Sequence, residues 1–380
     1  MNILFASTVF PHARDVIRGT YNRELCAALA RQANVRVVAP VPWKDAVRPG
    51  RLTIPDDPSG LQIARPTYWY LPRMAPQALG SRLFAAMRRG VRQVAREWTP
   101  DLVISYWLYP DAWAAQKLAS DFGCEHATII GGSDVLQIPH EPVRGPFVRS
   151  VLKDCNAALA VSQQLVDAIV DIEPTADASV WSQGIRTEIL HDGPSDLERS
   201  RLKLANDEPV YLWVGRMVPV KAMRRLFDAF AEAQAAGPSQ LLLVGNGPER
   251  DGAEAYVREL GLADRVRFVG AIAPTELGTY YRAADAVVLS SDSEGLPNVL
   301  REGLACGRPF AASHVGGIGE IGDDGCRVLA PPGDSAALAR AMIEVLEPRF
   351  RTAAGQRPVR TWDVAASDLL ASVGGTAAVV

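Results

Sequence analysis

Residues 210–221 read VYLWVGRMVPVK, in which five apolar residues run into a glycine and two cations follow. A short apolar run that ends at glycine is typical of a strand buried on both faces of a parallel sheet. Four similar runs follow, separated by segments of helical length: Leu241–Val244, Val266–Val269, Ala286–Leu289 and Pro309–Ala312. This alternation predicts a parallel α/β sheet in the second half of the chain.

The first half of the chain repeats the alternation less clearly. Its strand-like runs are Ile3–Ser7, Val35–Ala39, Asp101–Ser105, Ala127–Ile130 and Ala157–Val161. At 380 residues the chain is longer than one hydrophobic core usually serves, so we expect two domains. The predicted fold class is α/β, with two Rossmann-like domains that face each other across a cleft.

Domain boundaries are indicated by turn-forming residues. The segment Ile189–Pro209 is rich in Asp, Ser, Gly and Pro, and it predicts a linker between an N-terminal domain at residues 1–190 and a C-terminal domain at residues 205–348. Two prolines then interrupt the helical pattern before an amphipathic stretch. We expect residues 349–380 to form a tail whose helix crosses back to the N-terminal domain.

Composition excludes several classes of protein. With 48% hydrophobic residues, 22% charged residues and a net charge of −3, the chain is neither disordered nor a general nucleic-acid binder. Its five scattered cysteines predict neither a disulfide framework nor a zinc site. The N-terminal run predicts a buried strand instead of a signal peptide, and no apolar run approaches the roughly 20 residues that span a bilayer. We expect a cytoplasmic protein whose membrane contact, if any, is peripheral.

Chemistry is expected in the loops after the strands, because parallel sheets bind ligands at the carboxyl ends of their strands. One such loop offers Gly215 for close backbone approach together with Arg216 and Lys221, which suits a diphosphate. A second tight turn follows at Gly245-Asn246-Gly247-Pro248. Taken singly, these cations are more often surface charges, so the prediction depends on their joint placement.

Two glutamates eight residues apart follow the predicted strand Ala286–Leu289. Glu294 is expected in the loop and Glu302 about two turns further along the next helix, so that both carboxylates can face one site. A carboxylate accepts paired hydrogen bonds from vicinal hydroxyls, which suits a ribose and a hexose. The alternative, which is commoner for two glutamates considered alone, is a solvated helix face.

These segments resemble glycosyltransferase family 4, and the resemblance covers most of residues 205–346. The matching motifs are Val214-Gly215-Arg216 with Lys221, Val244–Pro248, Phe268-Val269-Gly270, Ser293–Asn298 through Glu302, Ala305–Pro309, and Val315-Gly316-Gly317 with Glu320. The resemblance implies the two-domain GT-B fold and a nucleotide-diphosphate sugar bound by the C-terminal domain.

The resemblance also implies roles for individual residues. Arg216 and Lys221 match the residues that hold the diphosphate. Glu302 matches the residue that binds the ribose, and Glu294 matches one that contacts the donor sugar. Glu294, Arg216 and Lys221 are the predicted catalytic residues. The remaining predicted donor-binding residues are Gly215, Gly245, Asn246, Gly270, Gly295, Leu296 and Asn298.

The N-terminal half resembles the teichuronic-acid-transferase-like branch of the family at Arg18–Glu24 and Ser105–Asp111. It departs from that branch where Ser105 and Tyr106 replace histidines, and where Gly131 precedes the Gly-Ser-Asp run in place of a histidine. We therefore expect a divergent acceptor site.

The acceptor-side candidates are Gly19, His12, Asp134 and Tyr106. Simpler interpretations stay open for three of them. Gly19 can merely open a helix, and Asp134 can cap one. For His12 an exposed loop histidine is the commoner case.

No Asp-x-Asp triplet, the motif through which many transferases recruit a divalent cation, occurs in the sequence. We expect no metal and no cofactor, with the nucleotide sugar as co-substrate. Arg216, Lys221 and helix N-termini would stabilise the departing diphosphate. The family reaction retains the anomeric configuration, which the resemblance implies for this chain.

The region from Ala64 to Trp98 is basic and aromatic, and its only acid is Glu97. It contains Arg65, Arg73, Arg82, Arg88, Arg89, Arg92 and Arg96 with Tyr68, Trp69, Tyr70, Leu71 and Met74. This composition suits peripheral contact with an anionic membrane or a lipid-diphosphate acceptor. The alternative is an ordinary arginine-rich exposed helix face.

Three functions remain open from the sequence. The favoured one is retaining hexosyl transfer from a UDP- or GDP-sugar to a saccharide or lipid-linked acceptor, in polysaccharide or glycolipid synthesis. A nucleotide-sugar 2-epimerase is disfavoured because its acidic and histidine set is not apparent. A sugar-nucleotide-binding protein without catalysis is kept open by the missing acceptor-side histidines.

Overall fold

The computed structural model describes residues 1–47, 52, 59–70, 76–95 and 97–374, which divide into two compact units. The first unit comprises Met1–Gly184 together with the C-terminal segment that starts at Arg360, and the second comprises Ile185–Val359. Each unit is an α/β structure with a parallel sheet, so the predicted fold class of two Rossmann-like domains is confirmed.

The first unit is built on one large parallel sheet. Its strands are β1 (Asn2–Ala6), β2 (Asn34–Val38), β3 (Val41–Pro42), β4 (Gln62–Ala64), β5 (Thr67–Tyr68), β6 (Leu102–Tyr106), β7 (Glu125–Ile130), β8 (Ala157–Ala160) and β9 (Ala178–Val180). Its helices are α1 (Thr20–Ala30), α2 (Trp43–Ala46), α3 (Leu79–Val94), α4 (Trp113–Phe122), α5 (Ser133–Leu136), α6 (Gly145–Asp154) and α7 (Gln163–Ile172). The large sheet has the order β4-β2-β1-β6-β7-β8-β9, and β3 pairs with β5 in a separate two-stranded sheet.

Apolar side chains cover both faces of this sheet, as parallel sheets require. Phe5 packs in a core that includes Leu29 of α1, whereas Leu4 packs in a second core that includes Met87 of α3. Because successive side chains of a strand point to opposite faces, β1 is buried on both sides.

The second unit has a six-stranded parallel sheet. Its strands are β10 (Val210–Val214), β11 (Gln240–Val244), β12 (Val266–Gly270), β13 (Ala286–Leu289), β14 (Phe310–Ser313) and β15 (Arg327–Ala330). Its helices are α8 (Ser195–Leu202), α9 (Met223–Ala233), α10 (Arg250–Glu259), α11 (Leu277–Ala283), α12 (Asn298–Ala305), α13 (Ser335–Glu344) and α14 (Pro348–Gly355). The order β12-β11-β10-β13-β14-β15 reverses direction between β10 and β13, where doubly wound sheets bind their ligands.

The predicted linker is part of the second unit. Within Ile189–Pro209 the chain forms α8, and Leu190 is buried in the core of that unit. Asp192 accepts hydrogen bonds from Arg308 at 3.2 Å and Arg351 at 2.9 Å. The structure therefore divides the chain after Gly184, because ion pairs distant in sequence fix a segment whose composition is that of a loop.

The C-terminal tail is shared between the units. The helix α14 lies in the second unit, where Phe350 is part of the core. The last helix, α15 (Trp362–Gly374), packs in the first unit, where the Trp181 indole donates to the carbonyl oxygen of Ala365 at 2.8 Å. The chain thus returns to the first unit at Arg360, later than the predicted residue 349. In the part of the chain that the structure describes, no helix is both long and apolar enough to cross a membrane.

Candidate active site

The loops that follow β10, β11 and β12 are held together by backbone hydrogen bonds. The Met217 N–H donates to the Asn246 carbonyl at 3.0 Å, and the Gly245 N–H donates to the Gly270 carbonyl at 2.8 Å. Gly245 has φ +130°, and a Cβ there would lie 1.8 Å from the Gly215 carbonyl oxygen. Only glycine fits this position, so three predicted donor-binding glycines form one tightly packed backbone surface.

Lys221 and Glu294 form an ion pair in the second unit. The Lys221 Nζ lies 2.5 Å from Glu294 Oε1, and the Ser291 hydroxyl donates to the same oxygen at 2.5 Å. Both charged side chains are mostly buried, with 18% and 11% of their surface exposed. The structure therefore brings together two of the three predicted catalytic residues, while Arg216 lies exposed on the same loop as Lys221.

The glycine pair of the matching motif Val315-Gly316-Gly317 supports the backbone of Glu294. The Gly317 N–H donates to the Gly295 carbonyl at 2.8 Å. Gly316 has φ +57°, and a Cβ at this position would lie 1.8 Å from the Glu294 carbonyl oxygen. The loop after β14 thus fixes the loop that carries Glu294, which explains why glycine is needed at residue 316.

Glu302 lies just over one turn inside α12, which starts at Asn298, after Pro297 in an extended conformation. The predicted separation of two helical turns from Glu294 is therefore too large. Glu302 Oε2 accepts a hydrogen bond from the Tyr281 hydroxyl at 2.8 Å. Burial raises the pKa of the Glu302 carboxyl, against the opposing effects of the Tyr281 hydrogen bond and of Arg186 and Arg301. Leu296 and Asn298, which lie between the two glutamates in the sequence, are half-buried.

Sequence reasoning missed a second ion pair that joins the same loops. Arg225 donates to Asp292 Oδ1 at 2.6 Å and to the Ser290 carbonyl at 2.9 Å, and the Asp292 N–H donates to the Val220 carbonyl at 2.8 Å. These contacts attach the loop of Lys221 to the loop of Glu294. A signal was available, because Arg225 follows Lys221 by four residues, in the first turn of α9, and Asp292 lies two residues before Glu294.

The acceptor-side candidates all lie in the first unit. His12 is only 6% exposed, so the interpretation as an exposed loop histidine is wrong. The chain turns back on itself there: the His12 N–H donates to the Asp15 carbonyl at 3.1 Å, and His12 Nδ1 accepts from the Arg14 N–H at 3.3 Å. Burial, and then the nearby charge of Arg65, lower the pKa of His12, which favours the neutral ring.

Gly19 and Asp134 both have backbone roles. Gly19 precedes α1 with φ +66°, and a Cβ there would lie 2.3 Å from the Val9 carbonyl oxygen. Asp134 is fully buried in the first turn of α5 and accepts from the Gly132 N–H at 2.8 Å and the Leu108 N–H at 3.3 Å. Burial raises the pKa of Asp134 to about 6. Gly19 therefore opens α1, whereas Asp134 joins the first turn of α5 to the loop after β6.

Tyr106 ends β6 and packs against Tyr21, with ring centroids 5.0 Å apart. Its burial raises the pKa of the hydroxyl well above the usual range. Asp111, the last residue of the segment Ser105–Asp111, was not among the predicted site residues. Its side chain is buried and accepts hydrogen bonds from the Ser7 hydroxyl at 2.9 Å and from Thr8. Burial raises the pKa of Asp111 to about 6.

Part of the basic and aromatic region lies outside the described residues, namely Leu71, Arg73, Met74 and Arg96. The described part of this region includes exposed arginines on α3 and the exposed side chain of Trp69. The Trp69 ring stacks on the ring of Trp43, with ring centroids 5.0 Å apart. Within the described ranges there is no group of three or more His, Cys, Asp or Glu side chains that could hold a metal ion.

Comparison with known proteins identifies the family. A model described as Glycosyltransferase Family 4 matches residues 19–189, and one described as Glycosyl transferases group 1 matches residues 208–348. The two matches span most of both units. The chain belongs to glycosyltransferase family 4.

Individual relatives agree with this assignment. A Bacillus subtilis protein named as a teichuronic acid biosynthesis glycosyltransferase is 27% identical over 357 residues, which cover 90% of this chain and 88% of that protein. The structure of sucrose-phosphate synthase from Thermosynechococcus elongatus matches with a TM-score of 0.82 at 24% identity, over 99% of both chains. HepE of Anabaena, crystallised with UDP-glucose, matches with a TM-score of 0.72 at 21% identity, over 99% of this chain and 98% of that one. The two solved structures share the GT-B fold predicted for this chain.

Proposed function

We propose that the protein transfers a hexosyl unit from a nucleotide-diphosphate sugar to a saccharide or lipid-linked acceptor, with retention of anomeric configuration. The ion pair of Lys221 with Glu294 carries the proposal. Lys221 engages one of its three N–H donors with Glu294, so that others are available to a diphosphate. Among the described residues Glu294 uses only Oε1, which leaves Oε2 to accept a hydrogen bond from a sugar hydroxyl.

The transfer proceeds without a bound metal ion in this proposal. A departing nucleoside diphosphate carries charge that must be stabilised, and Arg216 and Lys221 supply two cations in the loop after β10. The positive end of the α12 dipole, at Asn298, adds to them. Glu294 would orient the sugar hydroxyls or stabilise the positive charge that develops on the sugar.

Donor and acceptor classes are suggested by the named relatives. HepE was crystallised with UDP-glucose, so a UDP-sugar is the first donor to test and a GDP-sugar the second. The similarity to a protein named for teichuronic acid biosynthesis supports an acceptor in polysaccharide or glycolipid assembly.

The proposal includes peripheral contact with an anionic membrane through the exposed face of α3. Four arginines lie on this face, and the helix carries no acidic residue: Arg82, Arg88, Arg89 and Arg92. Arg89 donates to the Thr67 carbonyl at 2.8 Å, which places the helix beside the exposed Trp69. A cavity of about 570 Å³ next to α3 is lined by two arginines, one aspartate and four apolar residues, namely Arg88, Arg92, Asp121, Val91, Ala95, Leu118 and Phe122, and Arg88 lies 3.6 Å from the Asp121 carboxylate. Basic and aromatic side chains together favour an anionic lipid surface.

A donor-dependent transfer assay tests the proposed reaction. UDP- and GDP-hexoses are incubated with the protein and a membrane extract in the presence of EDTA, and products are analysed by NMR. We expect a new glycoside with the same anomeric configuration as the donor. A product of inverted configuration contradicts the proposed retention. Activity that EDTA abolishes contradicts the proposed independence of a metal ion. An epimerised free donor identifies a 2-epimerase, and nucleotide binding without any product identifies a binding protein.

Vesicle flotation tests the membrane contact. The double variant Arg82→Gln/Arg92→Gln removes two cations from the α3 face, and Arg258→Gln/Arg340→Gln removes two exposed cations from the second unit as a control. We expect the first pair to lower binding to phosphatidylglycerol vesicles about tenfold and the control pair to leave it unchanged. Equal behaviour of the two double variants would argue against the α3 surface.

A further inference from the structure

Tyr281 contacts Glu302 from a neighbouring helix. Its hydroxyl donates to Glu302 Oε2 at 2.8 Å and also reaches the Val299 carbonyl oxygen at 3.1 Å. Tyr281 belongs to α11 and Glu302 to α12, so the contact joins two separate helices. The carboxylate is therefore held from outside its own helix.

The tyrosine is itself firmly anchored. Its side chain is fully buried in the core of the second unit, and its carbonyl oxygen accepts from Arg308 Nε at 3.0 Å. Burial also raises the pKa of the Tyr281 hydroxyl well above its usual range, so the group stays protonated and can donate. A buried, protonated and immobile donor is suited to fixing a partner in one orientation.

The Glu302 carboxylate is engaged on one side only. Among the described residues Oε2 accepts from Tyr281, whereas Oε1 has no hydrogen-bond partner. The terminal torsion of a glutamate is otherwise broad, so a free carboxylate samples many rotations. A hydrogen bond to one oxygen selects a rotation and thereby determines where the other oxygen points.

We propose that Tyr281 is a positioning residue of the donor site, whose hydroxyl fixes the Glu302 carboxylate so that Oε1 accepts a hydrogen bond from a ribose hydroxyl. The inference rests on the proposed function, because it requires that the second unit binds a nucleotide-diphosphate sugar, and on the ribose-binding role that the family resemblance implies for Glu302. Loss of the Tyr281 hydroxyl would then weaken recognition of the ribose hydroxyls and leave recognition of the diphosphate and base intact.

Calorimetry with a pair of nucleotides separates these effects. Wild type, Tyr281→Phe and Tyr211→Phe are titrated with UDP and with 2′,3′-dideoxy-UDP, and with the two guanosine analogues if the wild type prefers GDP. Tyr211→Phe is the matched control, because Tyr211 is also buried in the second unit and its hydroxyl donates to the Met342 carbonyl at 2.9 Å. Each substitution removes one buried hydroxyl.

In Tyr281→Phe we expect the affinity for the normal nucleotide to fall about fivefold to tenfold and that for the dideoxy nucleotide to change less than about twofold. In Tyr211→Phe neither affinity should change by more than about twofold. An equal loss for both nucleotides, or no loss for either, would overturn the positioning role. A wild type that binds none of the nucleotides would instead contradict the proposed function on which this inference rests.

A double substitution tests whether Tyr281 acts through Glu302. On a Glu302→Ala background, Tyr281→Phe should cause no further loss of affinity for the normal nucleotide, because the carboxylate it positions is absent. Losses that multiply in the double variant would show that the two side chains act independently, and would overturn the proposal even if each single variant were weakened.

Discussion

The two glutamates of the second unit have different surroundings. Glu294 shares one oxygen between a lysine and a serine, whereas Glu302 is half-buried and accepts from a tyrosine hydroxyl. A carboxylate next to a cation can act where charge changes during a reaction, and a half-buried carboxylate can recognise hydroxyl groups. These surroundings are consistent with a role for Glu294 in transfer and for Glu302 in binding.

Replacement of Glu294 should therefore affect the reaction more than binding. For Glu294→Ala we expect kcat to fall about 100-fold and the affinity for the nucleotide to change less than about threefold, since the interaction is made mainly in the transition state. The exposed helix residue Glu344 serves as a control, and Glu344→Ala should leave both unchanged. Steady-state kinetics and calorimetry measure the two quantities. Equal weakening of nucleotide affinity by Glu294→Ala and Glu302→Ala would contradict this division of roles.

Gly316 offers a second test at the scale of single residues. A Cβ at residue 316 would overlap the Glu294 carbonyl, so Gly316→Ala should displace the loop of Glu294 and lower kcat at least about tenfold. Gly261 has a similar φ of +70° with no atom within 4 Å of its Cβ position, so Gly261→Ala is a matched control. Both variants should lose about 1–2 kcal/mol of stability from left-handed strain, but only the first should lose activity. Equal activity in the two variants would mean that the contact does not position Glu294.

At the scale of elements, the ends of β6 and β7 are followed by two buried carboxyls, Asp111 and Asp134. Burial raises the pKa of each to about 6, compared with an ordinary value of 3.8. Each carboxyl therefore binds its proton more tightly in the folded state than in the unfolded state. The contribution of each to stability is fully present below about pH 4 and is lost as the pH rises through about 6.

This linkage predicts how Asp134→Asn depends on pH. The variant should be less stable than the wild type at pH 4.5, and the deficit should shrink by about 2 kcal/mol between pH 4.5 and pH 8, because the wild type must then bury a charge. Urea denaturation at the two pH values measures the difference, and Asp111→Asn should behave in the same way. A deficit that grows with pH would show that the buried carboxylate is stabilised in its charged form.

The elements that the sequence predicted correctly share a local cause. Five of the six strands of the second unit, β10 to β14, are short apolar runs that end at turn-forming residues, and each lies within a residue or two of its predicted position. The sixth strand, β15, was not predicted. Elements that the sequence missed depend on distant partners. The helix α8 is polar, and it is fixed by contacts of Arg199 with Asp285 at 2.5 Å and of Glu198 with Arg282 at 2.9 Å.

The candidate site could also be predicted only in part. Strand-end glycines and charged residues could be found from the sequence, because their order along the chain places them at one edge of the sheet. The burial of His12 could not, because it follows from a local turn back to Asp15. The partners of the glutamates, Ser291 and Tyr281, could not be assigned either, since nothing in the sequence shows which hydroxyl reaches which carboxylate.

At the scale of the whole molecule, the chain forms two α/β units, each with a parallel sheet. The predicted binding functions of the two units differ. Every predicted donor-binding residue lies in the second unit, and every predicted acceptor-side residue lies in the first. The helix α15 ends the described chain in the first unit, so the second unit is inserted between two segments of the first.

The central claim is that the second unit binds a nucleotide-diphosphate sugar through Glu302 without a metal ion. Calorimetric titration of UDP, GDP and ADP into wild type and Glu302→Ala, with EDTA present, tests it most directly. One nucleotide should bind the wild type, and Glu302→Ala should weaken this binding at least about tenfold. Binding of none of the three nucleotides by the folded wild type, or equal binding by wild type and variant, would contradict it.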